Sequence, residues 1–351
     1  MVGAAMTPSR PRVTIITALY NHEDFIGQAV ASVLSQTFAD FEYLIWDDGS
    51  QDRSIEVAKA AIPAGETRVQ ILTHPGGKNR GQEATRNEAL KAAQGDYICL
   101  LDSDDYWLPR KLELQVQCLD ANPKVGLVYA PIQILLNGSG KFLSRPLNES
   151  NQSNSFDSLV RSNFIIACSV MFRRACLEND SGFDARYGAI GEYPLWLRIA
   201  HRWELNAVRE PVAVWRIHGS NTSTKRRLQA RRELVHMVED FLADPNYSNA
   251  HGDALRLALN QYRYDLAVML LEEQQSNSRD EAIEILANLS RTPLSQLPHG
   301  LVRKIKFMAA LAKLSTPLGF AGIFALRVLK HWRARWRDPQ RFELERAISA
   351  E

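Results

Sequence analysis

The stretch Asp96–Trp107, DYICLLDSDDYW, joins a short apolar run to a cluster of acids. The apolar run, YICLL, has the length and composition of a strand that is covered on both faces of a sheet. Asp102, Asp104 and Asp105 follow it directly. Carboxylates this close raise one another's pKa unless a cation or a hydrogen-bond donor lies among them. The stretch therefore predicts a buried strand that ends at a site for a divalent metal ion.

The residues before this stretch alternate between apolar runs and helical patterns. Strands are predicted at Val13–Leu19, Phe41–Trp46 and Val69–Thr73, each followed by apolar residues at helical spacing. Strands that alternate with helices over short connections indicate an α/β protein with a mostly parallel sheet and helices on both faces. Ligands bind beyond the carboxyl ends of such strands. We therefore expect the polar clusters YNHED, DDGSQD and DSDD, which each follow a strand, to converge.

After Pro109 the sequence predicts a helix, then one strand over VGLVYAPIQIL and a loop over 137–158. A buried strand or strand pair is predicted in NFIIACSVMFRR. A helix in LWLRIAHRW and one strand over AVREPVAVWRI follow. Long helical patterns with charged faces begin at Lys225. These patterns predict a flexible N-terminus over 1–12, a nucleotide-binding domain over 13–223 and a helical C-terminal region over 224–351.

Composition and charge narrow the class of protein. The 351 residues are 45% hydrophobic and 23% charged, as in an ordinary globular protein. The net charge of +2 gives no general attraction to nucleic acid. The four cysteines form no C-x-x-C pair, and the N-terminus lacks the apolar core of a secretory signal. We therefore predict a cytoplasmic protein with free thiols and no nucleic-acid partner.

The motifs, in their order and spacing, resemble the inverting glycosyltransferases of family 2. The resemblance runs from about Val13 to Ser223 and is carried by VTIITALYNHEDF, by FEYLIWDDGSQDRS and by GQEATRNEALKAAQGDYICLLDSDDYWLP. It implies a GT-A type nucleotide-binding fold, in which helices flank a central, mostly parallel mixed sheet. It also implies transfer of a sugar from a UDP-, GDP- or dTDP-sugar to an acceptor hydroxyl, assisted by Mn²⁺ or Mg²⁺.

The resemblance assigns roles to residues of the first half. Tyr20 and Asp48 match positions that hold the base and ribose of the nucleotide. Asp102 matches the acid near the ribose, and Asp104 matches the metal ligand; the alternative for Asp104 is a cap on the next helix. Arg86 matches an arginine behind the diphosphate, and its alternative role is a buried partner for Asp102.

In the second half, GEYPLW resembles the segment that carries the general base. Many members have Glu-Asp-Tyr-x-Leu-Trp there, so that the Asp falls on Glu192 and the preceding Glu on Gly191. Glu192 is the predicted base, and its alternative role is an acid at a helix N-terminus. WRIHGSNTS resembles a Tyr-Arg-x-His motif, which implies that His218 binds the metal or the diphosphate rather than only hydrogen bonding locally. His22 and His74 receive no role.

The segment 307–337 combines an apolar stretch with a basic tail that carries tryptophans. Between Phe307 and Leu329 only Lys313 and Arg327 are charged. The pattern fits an anchor at a membrane surface, a buried helix pair or a membrane span. The first interpretation places the protein at the inner face of the cytoplasmic membrane, with a lipid-linked or cell-envelope saccharide as acceptor.

Two other functions fit parts of the sequence. A nucleotide-sugar binding or scaffold protein would keep the donor site without turnover, and a change at Glu192 would not affect it. A nucleotidyltransferase would need a basic glycine-rich loop after the first strand, and YNHEDFIG lacks one. The absence of a nucleophile motif agrees with metal-assisted single displacement, which we favour over both.

Overall fold

The computed structural model describes residues 10–147, 155–178, 182–221, 225–273, 276–298 and 300–313. These residues form two compact units. The first contains the described residues up to Ser155 together with Asn163–Arg216, and the second contains Phe156–Ser162 and the described residues from Ile217 onward. The main division between the units falls after Arg216, and the segment Phe156–Ser162 belongs to the helical unit.

The central strands of the described residues follow the apolar runs of the sequence. In chain order they are β1 (Val13–Leu19), β2 (Phe41–Asp47), β3 (Val69–Thr73), β4 (Tyr97–Leu100), β5 (Tyr106–Trp107), β6 (Val125–Tyr129), β7 (Ile132–Leu136), β8 (Lys141–Arg145), β9 (Met171–Arg173), β10 (Glu204–Ala207) and β11 (Ala213–Ile217). No residue of β1, β2, β4 or β6 is exposed. Both faces of these strands are therefore covered, which explains why they read as continuous apolar runs.

Seven strands form a mixed sheet in the order β10-β6-β9-β4-β1-β2-β3. β1 pairs in parallel with β2 and β4, whereas β9 runs antiparallel between β4 and β6. The remaining strands form a four-stranded sheet in the order β5-β11-β7-β8. The parallel centre brings the carboxyl ends of β1, β2 and β4 to one edge of the large sheet.

The helices follow the predicted patterns, except the helix Phe156–Arg161, which begins within the predicted loop over 137–158. In chain order they are α1 (Ile26–Leu34), α2 (Ser54–Ala60), α3 (Gln82–Ala92), α4 (Lys111–Ala121), α5 (Phe156–Arg161), α6 (Tyr193–Arg202), α7 (Arg227–Ala243), α8 (Pro245–Glu272), α9 (Ser276–Arg291) and α10 (Leu301–Lys313). α1 shows the typical periodicity, because it buries Ile26, Ala29, Val30 and Val33 on one face. All four cysteines are free thiols.

Three sequence predictions about the strands were wrong. The run VGLVYAPIQIL is two strands in different sheets, β6 and β7, because Pro131 lies between them and has no N–H for a ladder. The run AVREPVAVWRI is likewise not one strand: Ala207 ends β10, and β11 begins only after Pro211. The predicted loop over 137–158 contains β8, which pairs antiparallel with β7 after a turn where Gly140 has a φ of 67°.

The second unit is helical in its described residues. Its core includes the fully buried Val238, Leu255, Ala267 and Leu270 of α7 and α8. The unit also contains α5, whose Val160 carbonyl accepts a hydrogen bond of 2.8 Å from the Tyr262 hydroxyl. Among the described residues, no helix has the length and apolar character to cross a membrane. Most of the predicted anchor over 307–337 lies outside the described residues.

Candidate active site

The three polar loops that follow β1, β2 and β4 are in contact at the carboxyl edge of the large sheet. Asn21, whose φ of 51° is in the left-handed region that asparagine tolerates, accepts a hydrogen bond of 2.7 Å on Oδ1 from the backbone of Gln51. His22 Nδ1 lies 2.7 Å from the hydroxyl oxygen of the buried Ser103. The parallel strands therefore bring these clusters together as their topology requires.

Asp48, predicted to hold the nucleotide, orders the chain before α3. Its Oδ1 accepts from the backbone N–H of Arg80 at 2.6 Å, and its Oδ2 accepts from that of Gly81 at 2.9 Å. His74 Nε2 lies 3.4 Å from Oδ1. Tyr20, which follows β1, has 43% of its surface exposed. The tyrosine thus presents an aromatic ring to solvent at the edge where Asp48 is buried.

The acid loop, residues 102–105, follows β4. Asp102 Oδ1 accepts hydrogen bonds from Gln82 Nε2 at 3.0 Å and from Arg86 Nη2 at 2.6 Å. Both donors lie on α3, so that the first turns of this helix hold Asp102 in place. The partner role considered for Arg86 is therefore seen directly in the structure.

Arg216 holds the other end of the acid loop, and the sequence analysis gave it no role. Its Nε donates to the carbonyl oxygen of Asp104, and its backbone N–H donates to Oδ1 of Asp105, both at 2.9 Å. Its Nη2 donates to Gln28 Oε1 at 2.6 Å. Burial raises the pKa of Asp105 well above its usual range, and the charges of Asp104 and Asp102 raise it further. The buried arginine therefore fixes the backbone that carries Asp104.

The donor atoms around Asp104 suit a hard divalent cation. A carboxylate oxygen of Asp104 and an imidazole nitrogen of His22 lie within 4.8 Å of each other. The carboxylate oxygen is a ligand type that Mn²⁺ and Mg²⁺ prefer. His218 lies two residues after Arg216 in the chain, and its Nδ1 is 2.6 Å from the hydroxyl oxygen of Ser220. His22 was missed because nothing in YNHED distinguishes a ligand from a loop histidine.

Arg86 brings three carboxyl groups together. The side chain is 3% exposed; Nη2 binds Asp102, while Nη1 lies 3.7 Å from Glu83 Oε1 and 3.6 Å from Glu192 Oε2. Burial alone would lower the pKa of Arg86, but these three carboxylates raise it. One guanidinium cannot neutralise three carboxylates. The cluster therefore favours retention of a proton on at least one of them.

Glu192, the predicted base, immediately precedes α6. Its side chain is 25% exposed and makes no capping hydrogen bond to the helix. Burial raises the pKa of Glu192; the charge of Arg86 opposes the shift and that of Asp102 adds to it. A carboxylate with a raised pKa is a better proton acceptor near neutrality. The place of Glu192 directly before α6 also agrees with the alternative role of an acid at a helix N-terminus.

Glu83 is a site residue that the sequence analysis missed. It is 5% exposed and lies on α3, three residues before Arg86. Burial raises its pKa to about 7; the charge of Arg86 opposes the shift and that of Glu192 adds to it. The signal available in the sequence was the spacing of Glu83 and Arg86, which places a negatively and a positively charged side chain on one helix face.

Comparisons with known proteins identify the family and agree with the fold. Residues 14–179 match the model of the family described as glycosyl transferase family 2. The Escherichia coli protein UDP-Glc:alpha-D-GlcNAc-diphosphoundecaprenol beta-1,3-glucosyltransferase WfgD is 30% identical over 237 residues, which cover 66% of this chain and 87% of that protein. An uncharacterized glycosyltransferase from Nostoc is 24% identical and covers 72% of this chain and 81% of its own length.

Two solved structures share the fold. TarS 1–349 from S. aureus, in complex with UDP-GlcNAc, has a TM-score of 0.63 and 15% identity over 89% of this chain and 90% of its own. The mannosyltransferase PcManGT from Pyrobaculum calidifontis, in complex with GDP-Man and Mn²⁺, has a TM-score of 0.60 and 20% identity over 98% of this chain and 86% of its own. The sequence, the mixed sheet and these matches agree: the chain belongs to glycosyltransferase family 2 and is an enzyme with the GT-A fold.

Proposed function

We propose that this enzyme transfers a sugar, with inversion, from a nucleoside-diphosphate sugar to a hydroxyl of a lipid-linked or cell-envelope saccharide. The observation that carries the proposal is the position of Glu192. Its carboxyl group, with a raised pKa, shares the buried Arg86 with Asp102 of the acid loop. Glu192, as a proton acceptor, and the acid loop therefore contact the same arginine at the edge where such sheets bind ligands.

The donor nucleotide is assigned to Tyr20, Asp48, Arg86, Asp102 and Asp104. The exposed ring of Tyr20 offers a surface on which a base can stack. Each oxygen of Asp48 accepts one hydrogen bond from the chain, and a carboxylate oxygen has a second lone pair for a nucleotide hydroxyl or N–H. The UDP-GlcNAc and GDP-Man complexes of the two structural neighbours support a donor of this class.

A divalent cation, Mn²⁺ or Mg²⁺, is assigned to Asp104 and His218. Arg216 binds the backbone of Asp104, and the resemblance of WRIHGSNTS to a Tyr-Arg-x-His motif assigns the second ligand to His218. His22 offers a further imidazole nitrogen beside Asp104. When bound, such an ion stabilises negative charge on the departing diphosphate. The Mn²⁺ in the PcManGT structure supports this choice of ion.

Glu192 is assigned as the general base of a single displacement. It accepts the proton of the acceptor hydroxyl while that oxygen attacks the anomeric carbon and the bond to the diphosphate breaks. The positive charge of Arg86 lowers the pKa of Glu192 against the effect of burial, which keeps a fraction of Glu192 ionised. Attack from the face opposite the leaving group inverts the anomeric configuration.

The acceptor class rests on the relative and on the helical unit. The name of WfgD describes a glucosyltransferase that acts on a diphosphoundecaprenol-linked GlcNAc. α10 exposes Arg303, Lys304, Lys306 and half of Phe307. Basic side chains beside an exposed aromatic ring suit the surface of an anionic membrane. We therefore place the enzyme in the cytoplasm, in peripheral contact with the inner face of the cytoplasmic membrane.

The anomeric configuration of the product tests the displacement. With a UDP-, GDP- or dTDP-α-sugar and a lipid-linked GlcNAc acceptor, the new linkage is expected to be β. Proton NMR coupling at the anomeric centre distinguishes the two outcomes for gluco-configured sugars. An α linkage from an α donor would contradict single displacement with Glu192 as base.

A further inference from the structure

Position 191 has no room for a side chain. A Cβ built on Gly191 would lie 2.1 Å from Cγ and Oε1 of Glu83 and 2.2 Å from its Cδ. Gly191 is not among the glycines with positive φ, so its backbone conformation is open to other residues. What excludes a side chain is the Glu83 carboxyl group, which reaches from α3 into the space beside the base-bearing loop.

Glu83 and Glu192 share one nitrogen of Arg86. Nη1 lies at ion-pair distance from both carboxyl groups, 3.7 Å from Glu83 and 3.6 Å from Glu192. This nitrogen is buried and makes no hydrogen bond within the described part of the chain. Its position is therefore set by the two carboxyl groups on either side and by the bond from Nη2 to Asp102.

We propose that Glu83 is a positioning residue for Glu192, and that Gly191 is the space that admits its carboxyl group. The inference rests on the proposed role of Glu192. Seated against Gly191, Glu83 holds Nη1 of Arg86 where the guanidinium also reaches Glu192. The site requires a carboxyl group beside Nη1 of Arg86. In this chain Glu83 on α3 supplies that group, and residue 191 does not.

The proposal predicts a specific pattern of rescue. Glu83→Ala removes the carboxyl group and is expected to lower kcat by about 10- to 100-fold, less than removal of a general base, with donor KM little changed. Gly191→Ala is expected to lower kcat similarly, because its Cβ would push Glu83 away from Arg86. In Glu83→Ala/Gly191→Glu the carboxyl group returns from the other side, and kcat is expected to recover most of the loss.

The pH profile separates positioning from packing. The charged groups around Glu83 are Arg86 on α3, Glu192 before α6 and Asp102 in the acid loop. Loss of Glu83 leaves Arg86 shared between fewer carboxylates, which lowers the pKa of Glu192. The acid limb of kcat is therefore expected to move to lower pH in Glu83→Ala and to return in the rescue variant. A residue needed only for packing would lower kcat without moving the limb.

The control and a measurement independent of catalysis complete the test. Glu88→Ala removes another carboxylate from α3, at an exposed pair with Lys91, and is expected to leave kcat and its pH profile unchanged. Gly191→Ala is expected to lower Tm in the wild type and to leave it unchanged in Glu83→Ala, because the clash has gone. This thermal comparison can be read even if the wild type transfers no sugar, an outcome that would contradict the proposed function alone.

Two results would overturn the proposal. One is wild-type kcat and an unmoved acid limb in Glu83→Ala. The other is a kcat in Glu83→Ala/Gly191→Glu that is no higher than in Glu83→Ala, since a carboxyl group supplied from residue 191 would then be no substitute for Glu83.

Discussion

Replacing Glu192 with glutamine is expected to lower kcat for sugar transfer by about 10²- to 10⁴-fold, the usual contribution of a general base. The amide has nearly the same shape as the carboxylate but cannot accept the proton of the acceptor hydroxyl. Glu192 lies beside Arg86 at 3.6 Å, so the substitution also removes one negative charge from the cluster. Two other carboxyl groups remain near this arginine, and the fold should therefore persist.

Initial rates of transfer and the dissociation constant of the donor should be measured together. Donor binding is expected to survive in Glu192→Gln, because the nucleotide is assigned to Tyr20, Asp48 and the acid loop. The matched control is Glu204→Gln, which changes an exposed glutamate on β10. Transfer at the wild-type rate in Glu192→Gln would assign the base to another residue.

Asp104→Asn is expected to abolish most metal-dependent transfer. A bound divalent ion supplies several kcal/mol of charge stabilisation, which corresponds to about 10²- to 10³-fold in rate. The asparagine keeps the size of the side chain but loses the charge that attracts the ion. The backbone of residue 104 would remain held by Arg216, whose bond is to the carbonyl oxygen.

To test this, metal is removed with a chelator and Mn²⁺ is then added back in steps. The transfer rate and donor binding are measured at each step. The wild type should regain activity as the ion is added, and Asp104→Asn should need far more ion or fail to respond. Asp96→Asn is the control, because Asp96 precedes β4 and is more than half exposed. Equal metal dependence in wild type and Asp104→Asn would remove Asp104 from the ligand set.

The sequence predicted the centre of the fold well because burial there is a local pattern. β1 and β3 have the predicted bounds, since covered parallel strands appear as short apolar runs wherever they occur. The strands around Pro131 and Pro211 were misjudged because runs of similar composition continue past the prolines. Whether a run changes sheets depends on which strands it meets, and that information is not local.

The site shows the same contrast between residues that a local pattern identifies and residues whose role depends on distant contacts. Arg86, Asp102 and Glu192 were named from motifs, and the structure brings their side chains together. Glu83 and Arg216 were missed because a charged residue is ordinarily exposed. Their burial depends on distant partners: Gly191 lies 108 positions from Glu83, and Gln28 lies 188 positions from Arg216.

A donor screen on the wild-type enzyme tests whether the protein transfers sugar. UDP-, GDP- and dTDP-sugars would be supplied with Mn²⁺ or Mg²⁺ and a lipid-linked saccharide, and both products would be quantified. One donor class is expected to release its nucleoside diphosphate in equal amount to the glycosylated acceptor. Donor binding without turnover under every combination would contradict glycosyl transfer and favour a nucleotide-sugar binding protein.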